Sequence, residues 1–391
     1  MSRFEPADAE AARLDARLLD FIAHAPAGFT GSGPTLALRY GVDDAEFGRL
    51  QQQFEALALA LYEYQIERVP PYRAFAAARP VPHCAGQIPA LPVDAFKRAR
   101  IAAFPPAAGG LEFHTSGTTA GQSGVLHLDN PLLYDAALER GFRHHVLPDR
   151  DRMRMLILAG SRDEMPHSSL AYMLDRVCSR WGAPGSAVFV RDGALDWRAL
   201  GEALRGAERD GEPVCLLGTA FAWVHVLEHC AREKFRVRLP AGSRLMETGG
   251  YKGRSRELSR DELYAGFAVS LGLAPTHIVS EYGMTELGSQ YYTTVLRAAV
   301  LQEPLAAEWS YPAWLRPRVM DSESGAMQDL DIFEGLGLLA HHDLANRGSV
   351  AHVLTADLAT VHAGRFQLAG RCPRASVRGC GLVYENPVGT P

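Results

Sequence analysis

Two short stretches carry the residue types that phosphate chemistry needs. The first is His114-Thr115-Ser116-Gly117-Thr118-Thr119-Ala120-Gly121-Gln122-Ser123-Gly124, between the strand-like runs LEFH and VLHL. Glycines let a backbone approach an anion closely, and hydroxyls with free N–H groups can ligate phosphate oxygens. No GK[ST] follows, so this is not a Walker A loop. The same residues also suit an ordinary Gly/Ser hairpin. The second stretch is Glu281-Tyr282-Gly283-Met284-Thr285-Glu286, directly after the apolar run HIVS. A ring beside a glycine can lie flat on a purine. A hydroxyl three residues on can reach an α-phosphate, and the next carboxylate can hold Mg²⁺, which prefers oxygen ligands. An ordinary strand-to-helix turn, with Glu286 in the first helical turn, would use the same residues.

Other candidates are weaker. His225 and His229 lie i, i+4 beside Cys230 on FAWVHVLEHCARE, but no carboxylate follows as in HExxH, so half-buried helical histidines are expected rather than zinc ligands. His341-His342 is expected to order a loop. No GxSxG elbow supports a serine hydrolase.

These stretches need a scaffold. The chain has 391 residues, 47% of them apolar, enough for a large core in two or three lobes. Its formal net charge of −5 gives no basic excess for nucleic acid or a membrane surface. Cys84, Cys178, Cys215, Cys230, Cys372 and Cys380 form no CxxC pair, which excludes zinc-ribbon and thioredoxin readings. The N-terminus has acids early and no apolar h-region, and no apolar run is long enough to span a bilayer. A cytoplasmic protein without membrane insertion is expected.

Leu14, Leu18, Leu19 and Ile22 share one face of a helix over 8–24, and a longer helix is expected over 43–67 with Asp43 or Asp44 as N-cap, stopped by Pro70-Pro71. Residues 80–112 read as extended loop. From 113 onward, MRMLILAG, SAVFV, VCLLG, SRLMETGG and HIVSEYG alternate with helical stretches, which argues for an α/β domain with a largely parallel sheet. After about residue 310, short strands and turns are expected. Phe221, Trp223 and Gly218, placed after VCLLG, are candidates to line an acid pocket.

TSGTT followed by YGMTE resembles the adenylate-forming superfamily of acyl-CoA synthetases, peptide-synthetase adenylation domains and luciferases. The resemblance implies a phosphate loop at Thr115, Ser116, Gly117, Thr118 and Thr119. It implies adenine stacking by Tyr282 beside Gly283, an α-phosphate contact from Thr285 and a Mg²⁺ ligand in Glu286. Gln122-Ser123 stand where the superfamily usually has Pro-Lys. Asp357 of Thr355-Ala356-Asp357 matches an aspartate that binds both ribose hydroxyls, which suits a carboxylate accepting two hydrogen bonds; alone, it also suits a turn. Gly249-Gly250-Tyr251 matches the segment lining the adenine pocket. The implied cofactors are ATP and Mg²⁺, with one ATP site at the carboxyl ends of parallel strands.

YEYQIERVPPY, IPALPVDAFK, SSLAYML, METGGYKG, SEYGMTELGSQYY, HHDLANRGS and LTADL narrow the resemblance, from about residue 45 on, to the acyl-protein synthetase (LuxE-type) family. The implied fold is α/β: an adenylate-forming large domain with mostly parallel sheets and a truncated C-terminal lid domain. The organisation expected is an N-terminal helical region and loop over 1–112, the core with the ATP site over 113–360, and a short segment over 361–391. Gly370-Arg371 matches the superfamily hinge. The chain given ends 20 residues later, without the lid lysine, so Lys252 or Arg371 is expected to supply the missing cation. The resemblance implies that Cys380, between Gly379 and Gly381, accepts the acyl group as a thioester. Arg371, Arg374 and Arg378 would favour its thiolate. Cys372 is the competing acceptor, and a structural thiol remains open.

The implied activity is an AMP-forming acid–protein ligase. A carboxylic acid, fatty by resemblance, is activated to an acyl-adenylate, moved to Cys380 and passed to an acyl reductase or acyl carrier protein. One alternative is an acyl- or aryl-adenylating ligase serving coenzyme A or another small thiol. The other is a non-catalytic nucleotide-binding subunit of an acyl-reductase complex.

Overall fold

The computed structural model describes residues 8–106, 110–115, 123–249, 258–305 and 309–372. The N-terminal part holds α1 (Ala9–His24), α2 (Leu36–Tyr40), α3 (Asp44–Arg68), α4 (Pro70–Ala76), β1 (Leu91–Pro92), β2 (Leu111–His114), β3 (Val125–Leu128) and α5 (Leu132–His145). There follow β4 (Arg154–Leu158), α6 (Ser169–Trp181), β5 (Ala187–Val188), β6 (Val190–Arg191), β7 (Ala194–Leu195), α7 (Trp197–Asp210), β8 (Val214–Thr219) and α8 (Ala220–Glu233). Next come β9 (Arg244–Thr248), α9 (Arg260–Leu271), β10 (Ile278–Tyr282), β11 (Tyr291–Thr293), α10 (Val295–Leu301) and β12 (Trp309–Ser310). The chain closes with β13 (Leu315–Asp321), β14 (Met327–Asp329), β15 (Gly335–Asp343), β16 (His352–His362) and β17 (Arg365–Arg371). Among the described residues no helix is long and apolar enough to cross a membrane.

The chain divides into two compact units. The first holds the residues up to Leu138, the short segment Met284–Ser289, and the chain from Tyr311 on; the second holds Glu139–Gly283 and Gln290–Ser310.

In the first unit, α1 and α3 form where the sequence places them. Asp8 accepts the Ala11 N–H at 2.8 Å and Asp43 accepts that of Glu46 at 2.7 Å, each capping its helix. Pro70 and Pro71 end α3 but also open α4, because a proline at the first helical position gives up only an N–H that would lack a partner anyway. The sheet runs β1-β16-β15-β13-β14, with β17 also on β16. All its pairings are antiparallel except β1 with β16. The C-terminal part is therefore built of longer strands than expected, and β16 alone has 11 residues. His341 and His342, expected in a loop, lie buried in β15.

Arg347 lies at the centre of this unit, with under 2% of its surface exposed. Its guanidinium donates to Asp15 at 2.5 and 3.1 Å, to Asp129 at 2.6 and 2.8 Å, and to the Tyr64 hydroxyl at 3.2 Å. This charge group joins α1, α3 and the segment after β3.

In the second unit, the sheet order is β12-β11-β10-β9-β8-β4-β5. The strands from β5 to β10 are parallel, and β11 and β12 add an antiparallel edge. β4, β8 and β9 are almost wholly buried, which explains the continuous apolar runs of β4 and β8, while β9 also buries Arg244, Glu247 and Thr248. α7, α8 and α9 cover this sheet through a core containing Leu216, Trp223, Leu245 and Phe267.

Candidate active site

The loop 114–124 is held at its base. β2 and β3 form an antiparallel hairpin in the register His114↔Val125. Above it, Thr115 N–H donates to the Gly124 carbonyl at 2.9 Å, Gly124 N–H donates to Thr115 Oγ1 at 2.9 Å, and the Ser123 hydroxyl donates to the Thr115 carbonyl. The loop thus leaves and returns through one narrow neck. Ser116, Gly117, Thr118 and Thr119 lie outside the described residues.

Met284-Thr285-Glu286 belongs to the first unit. No helix follows, since Leu287 N–H closes a turn on the Met284 carbonyl and the chain goes on to β11. The dipole of a first helical turn is therefore not what Glu286 meets. Thr285 is half-buried and Glu286 is buried. Burial pushes the Glu286 carboxyl up to about 7; its own backbone N–H and the charges of Lys97 and Arg371 pull the other way, and Asp357 adds to the rise.

Two residues of the DLAN segment hold this turn. Asn346 Nδ2 donates to the Glu286 carbonyl at 3.0 Å. Asp343, fully buried, accepts the Gly288 N–H at 2.8 Å and the Ser289 hydroxyl at 2.7 Å. Trp314 Nε1 donates to the same Ser289 oxygen at 3.2 Å.

Asp357 is buried on β16 and takes its place opposite Arg371 of β17 after a register shift beside Leu358. Thr355 fixes the backbone there, accepting the Asp357 N–H at 2.9 Å while donating to the Leu339 carbonyl at 2.7 Å. Arg371 Nε donates to Asp357 Oδ1 at 2.7 Å. His341 lies close enough for the Asp357 charge to act on it, but burial outweighs that charge and brings its pKa down to about 4. The first unit therefore brings Glu286, Asp357 and Arg371 into one electrostatic neighbourhood.

Lys97, absent from the sequence candidates, belongs to the same group. It ends IPALPVDAFK, which reads as extended loop in the sequence, whereas Val93–Lys97 forms a short 3-10 turn. Nothing in the order of residues says that this turn lies by Glu286.

The second unit holds the remaining site residues. Tyr282 ends β10, its ring centroid 5.5 Å from Tyr291 and 6.0 Å from Trp309. A side chain at Gly283 would come within 2.6 Å of Glu281 Oε1, so a larger residue there would have to displace the Glu281 carboxylate. Glu281 is buried and accepts from the Thr248 hydroxyl on β9. Burial raises its carboxyl to about 7 against that hydrogen bond, and the neighbouring Glu247 raises it further. Gly249 follows β9 with φ of +75°, a conformation that favours glycine. Gly250, Tyr251, Lys252 and Cys380 lie outside the described residues. Trp223 packs in the sheet core beside Gly218, and its indole Nε1 has no partner among the described residues. His225 pairs with Glu228 and His229 stacks on Trp197; neither joins a metal-ligand group among the described residues.

No family model matches the sequence. No curated protein matches it either. Solved structures do. One is an open conformation of 2-hydroxyisobutyryl-CoA ligase in complex with 2-HIB-AMP and CoA, at TM-score 0.52 and 14% identity over 88% of this chain and 76% of that one. A fatty acyl-adenylate ligase from L. pneumophila, in complex with acyl adenylate and pyrophosphate, gives 0.44 and 13% over 93% and 72%. A long-chain-fatty-acid-CoA ligase from Archaeoglobus fulgidus gives 0.46 and 13% over 70%, and the chain spans about half of it, 52%. The likeness to the first of these is one of fold: this chain has the α/β fold of the adenylate-forming enzymes.

Proposed function

We propose that this protein activates a carboxylic acid with ATP, forming an acyl-adenylate and releasing pyrophosphate. The observation that carries this reading is the grouping, in the first unit, of the buried Glu286 carboxyl with Asp357, Arg371 and Lys97. Its two acids are the partners a metal–nucleotide needs, and its two cations suit a polyphosphate.

Glu286 fits a Mg²⁺ ion. It is a buried oxygen donor that its own backbone N–H does not neutralise, so a divalent cation would relieve the cost of ionising it. When bound, Mg²⁺ supplies positive charge to phosphate oxygens. Asp357 holds the ribose hydroxyls, and Thr285 donates its hydroxyl to the α-phosphate. Ser116, Gly117, Thr118 and Thr119, outside the described residues, are assigned to the phosphate oxygens by the resemblance. Tyr282, Gly283, Gly249, Gly250 and Tyr251 are assigned to adenine by resemblance alone.

The finer reading is that of an acyl-protein synthetase of the LuxE type, supported by the motif resemblance. A fatty acyl group moves from the adenylate to Cys380, releasing AMP, and then to an acyl reductase or carrier protein. The test is acid-dependent exchange of pyrophosphate into ATP across a panel of carboxylic acids, followed by intact mass of the protein. Exchange with at least one acid and an added acyl mass are expected. A protein that binds ATP without exchange for any acid would be a nucleotide-binding subunit instead.

A further inference from the structure

Lys97 closes a short turn, Val93–Lys97, that leaves β1 directly. β1 lies parallel to β16 in the register Leu91↔Val353 and Pro92↔Leu354. The two chains run in the same direction, so the turn is carried along the part of β16 that leads to Asp357. The same turn meets the neck of the 114–124 loop. A side chain at Gly124 would lie 3.4 Å from Phe96 Cβ and 3.3 Å from Thr115 Cγ2. Of the two cations acting on the Glu286 carboxyl, Lys97 acts more strongly than Arg371. The loop neck and the part of β16 that leads to Asp357 thus flank the turn that ends in Lys97, whose charge acts on the Glu286 carboxyl.

Lys97 is also available. Its ammonium pairs with Asp94 at 2.8 Å, three residues back on the same turn, and both side chains are partly solvent-exposed. Such a pair is weak and solvent-screened, so a multiply charged phosphate can displace it. Arg371, by contrast, is engaged by the buried Asp357.

Building on the activity proposed above, we propose that Lys97 is a catalytic residue: its ammonium contacts the ATP triphosphate between the loop neck and Glu286. In the adenylation step an oxygen of the acid carboxylate attacks the α-phosphorus. The new O–P bond forms as the bond from that phosphorus to the bridging oxygen breaks, and the electron pair leaves on pyrophosphate. No proton moves. Negative charge grows on the departing oxygens, where a fixed ammonium acts more strongly in the transition state than in the ground state.

The test uses the full chain with ATP, Mg²⁺ and an acid the parent protein accepts. Lys97→Ala should lower the exchange rate on the order of a hundredfold, with ATP affinity changed far less. Lys97→Met keeps the apolar stem and should behave alike if the alanine variant folds poorly. Added ethylammonium should restore part of the lost rate in Lys97→Ala, and Lys97→Arg should retain more activity than either. A purely structural lysine would give none of that chemical rescue. Parental exchange rates in Lys97→Ala, or a loss that ethylammonium leaves untouched in a folded variant, overturn the assignment. If the parent protein exchanges with no acid at all, the activity itself fails and Lys97 falls with it.

Discussion

Asp357 and Arg371 face each other across β16 and β17, with Arg371 Nε donating to Asp357 Oδ1 at 2.7 Å. The acid is the buried partner, 10% exposed at its side chain, and the arginine is the exposed one at 73%. A nucleotide ribose that hydrogen-bonds Asp357 must share this carboxylate with the guanidinium or displace it. Because ribose contacts exist in both ground and transition states, Asp357→Ala should act mainly on ATP binding. Loss of hydrogen bonds to a charged group, at about 1.5–3 kcal/mol, corresponds to roughly ten- to hundredfold weaker binding. Normal ATP affinity in this variant, by equilibrium titration, would remove Asp357 from the site.

Glu286→Gln is expected to cost on the order of a hundredfold or more in Mg²⁺-dependent pyrophosphate exchange. The amide keeps the shape of the side chain and removes the charge that would hold the metal. Folding should be unharmed, because Asn346 holds this residue by its carbonyl and not by its side chain. Unchanged exchange at limiting Mg²⁺ would reject the metal role.

Local pattern made part of this structure legible. The apolar spacing of α1 and α3 and the continuous runs of β4 and β8 each imply their element, because a helix stripe and a doubly buried strand have distinct periods. Long-range burial of polar residues was not legible. The sequence HHD reads as a polar turn, yet His341, His342 and Asp343 are buried in β15, where the Gly288 N–H and the Ser289 hydroxyl satisfy Asp343. β1 has two residues and exists only because β16 pairs with it, so Lys97 could not be placed beforehand. Glu286, Asp357 and Arg371 were singled out by motif and residue type, and the first unit groups their charges.

Buried histidines should make the fold acid-sensitive. His342 and His352 stack at 4.8 Å, and His352 Nδ1–H donates to the Ile88 carbonyl at 2.7 Å. Burial brings His352 down to about 3 and His341 to about 4, and holds His342 well below 6.5; the charges of Arg316 and Arg318 add to the lowering at His342, and Arg318 does so at His352. The folded protein keeps these rings neutral, while the unfolded chain takes up protons below pH 6.5. Stability is therefore full above that pH and is lost as pH falls toward the folded values, by about 1.4 kcal/mol per histidine per pH unit. Glu281 and Glu286, raised to about 7, act in the opposite sense, so the test is a difference: between pH 7 and pH 5 the urea midpoint of His352→Asn, whose amide can still donate to Ile88, should fall less, or rise more, than that of the parent. Equal pH dependence in the two proteins would contradict this.

Removing one acid from the Arg347 group should weaken the first unit more than a surface change. Burial raises the Asp15 carboxyl pKa, opposed first by the hydrogen bond from Arg347. Asp15→Ala leaves part of a buried guanidinium unmatched, at a cost of about 3–5 kcal/mol. Arg347→Met with Asp15→Leu removes both charges but leaves Asp129 to compensate, so it should recover only part of the loss. Urea unfolding of the two variants measures this. A loss below about 1 kcal/mol for Asp15→Ala would show that Asp129 alone suffices.

The last expectation concerns the acyl acceptor. A thiolate is the nucleophile, so buried thiols with raised pKa make poor acceptors. Burial pushes Cys215 up to about 12 and Cys230 to about 11, and it also raises Cys178. Cys372 is partly buried, with its backbone N–H donating to the Ala356 carbonyl at 2.8 Å beside the Asp357–Arg371 pair. Cys380 lies outside the described residues, and its sequence neighbours Arg378, Gly379 and Gly381 suit a reactive thiol. With ATP, Mg²⁺ and an accepted acid, the protein should gain one acyl mass that neutral hydroxylamine removes, as a thioester requires and an amide does not. Cys380→Ser should still exchange pyrophosphate but hold no hydroxylamine-labile group. Normal labelling in Cys380→Ser with none in Cys372→Ser would move the acceptor to Cys372. Normal turnover in both, with coenzyme A consuming the adenylate, would replace self-acylation by transfer to a small thiol.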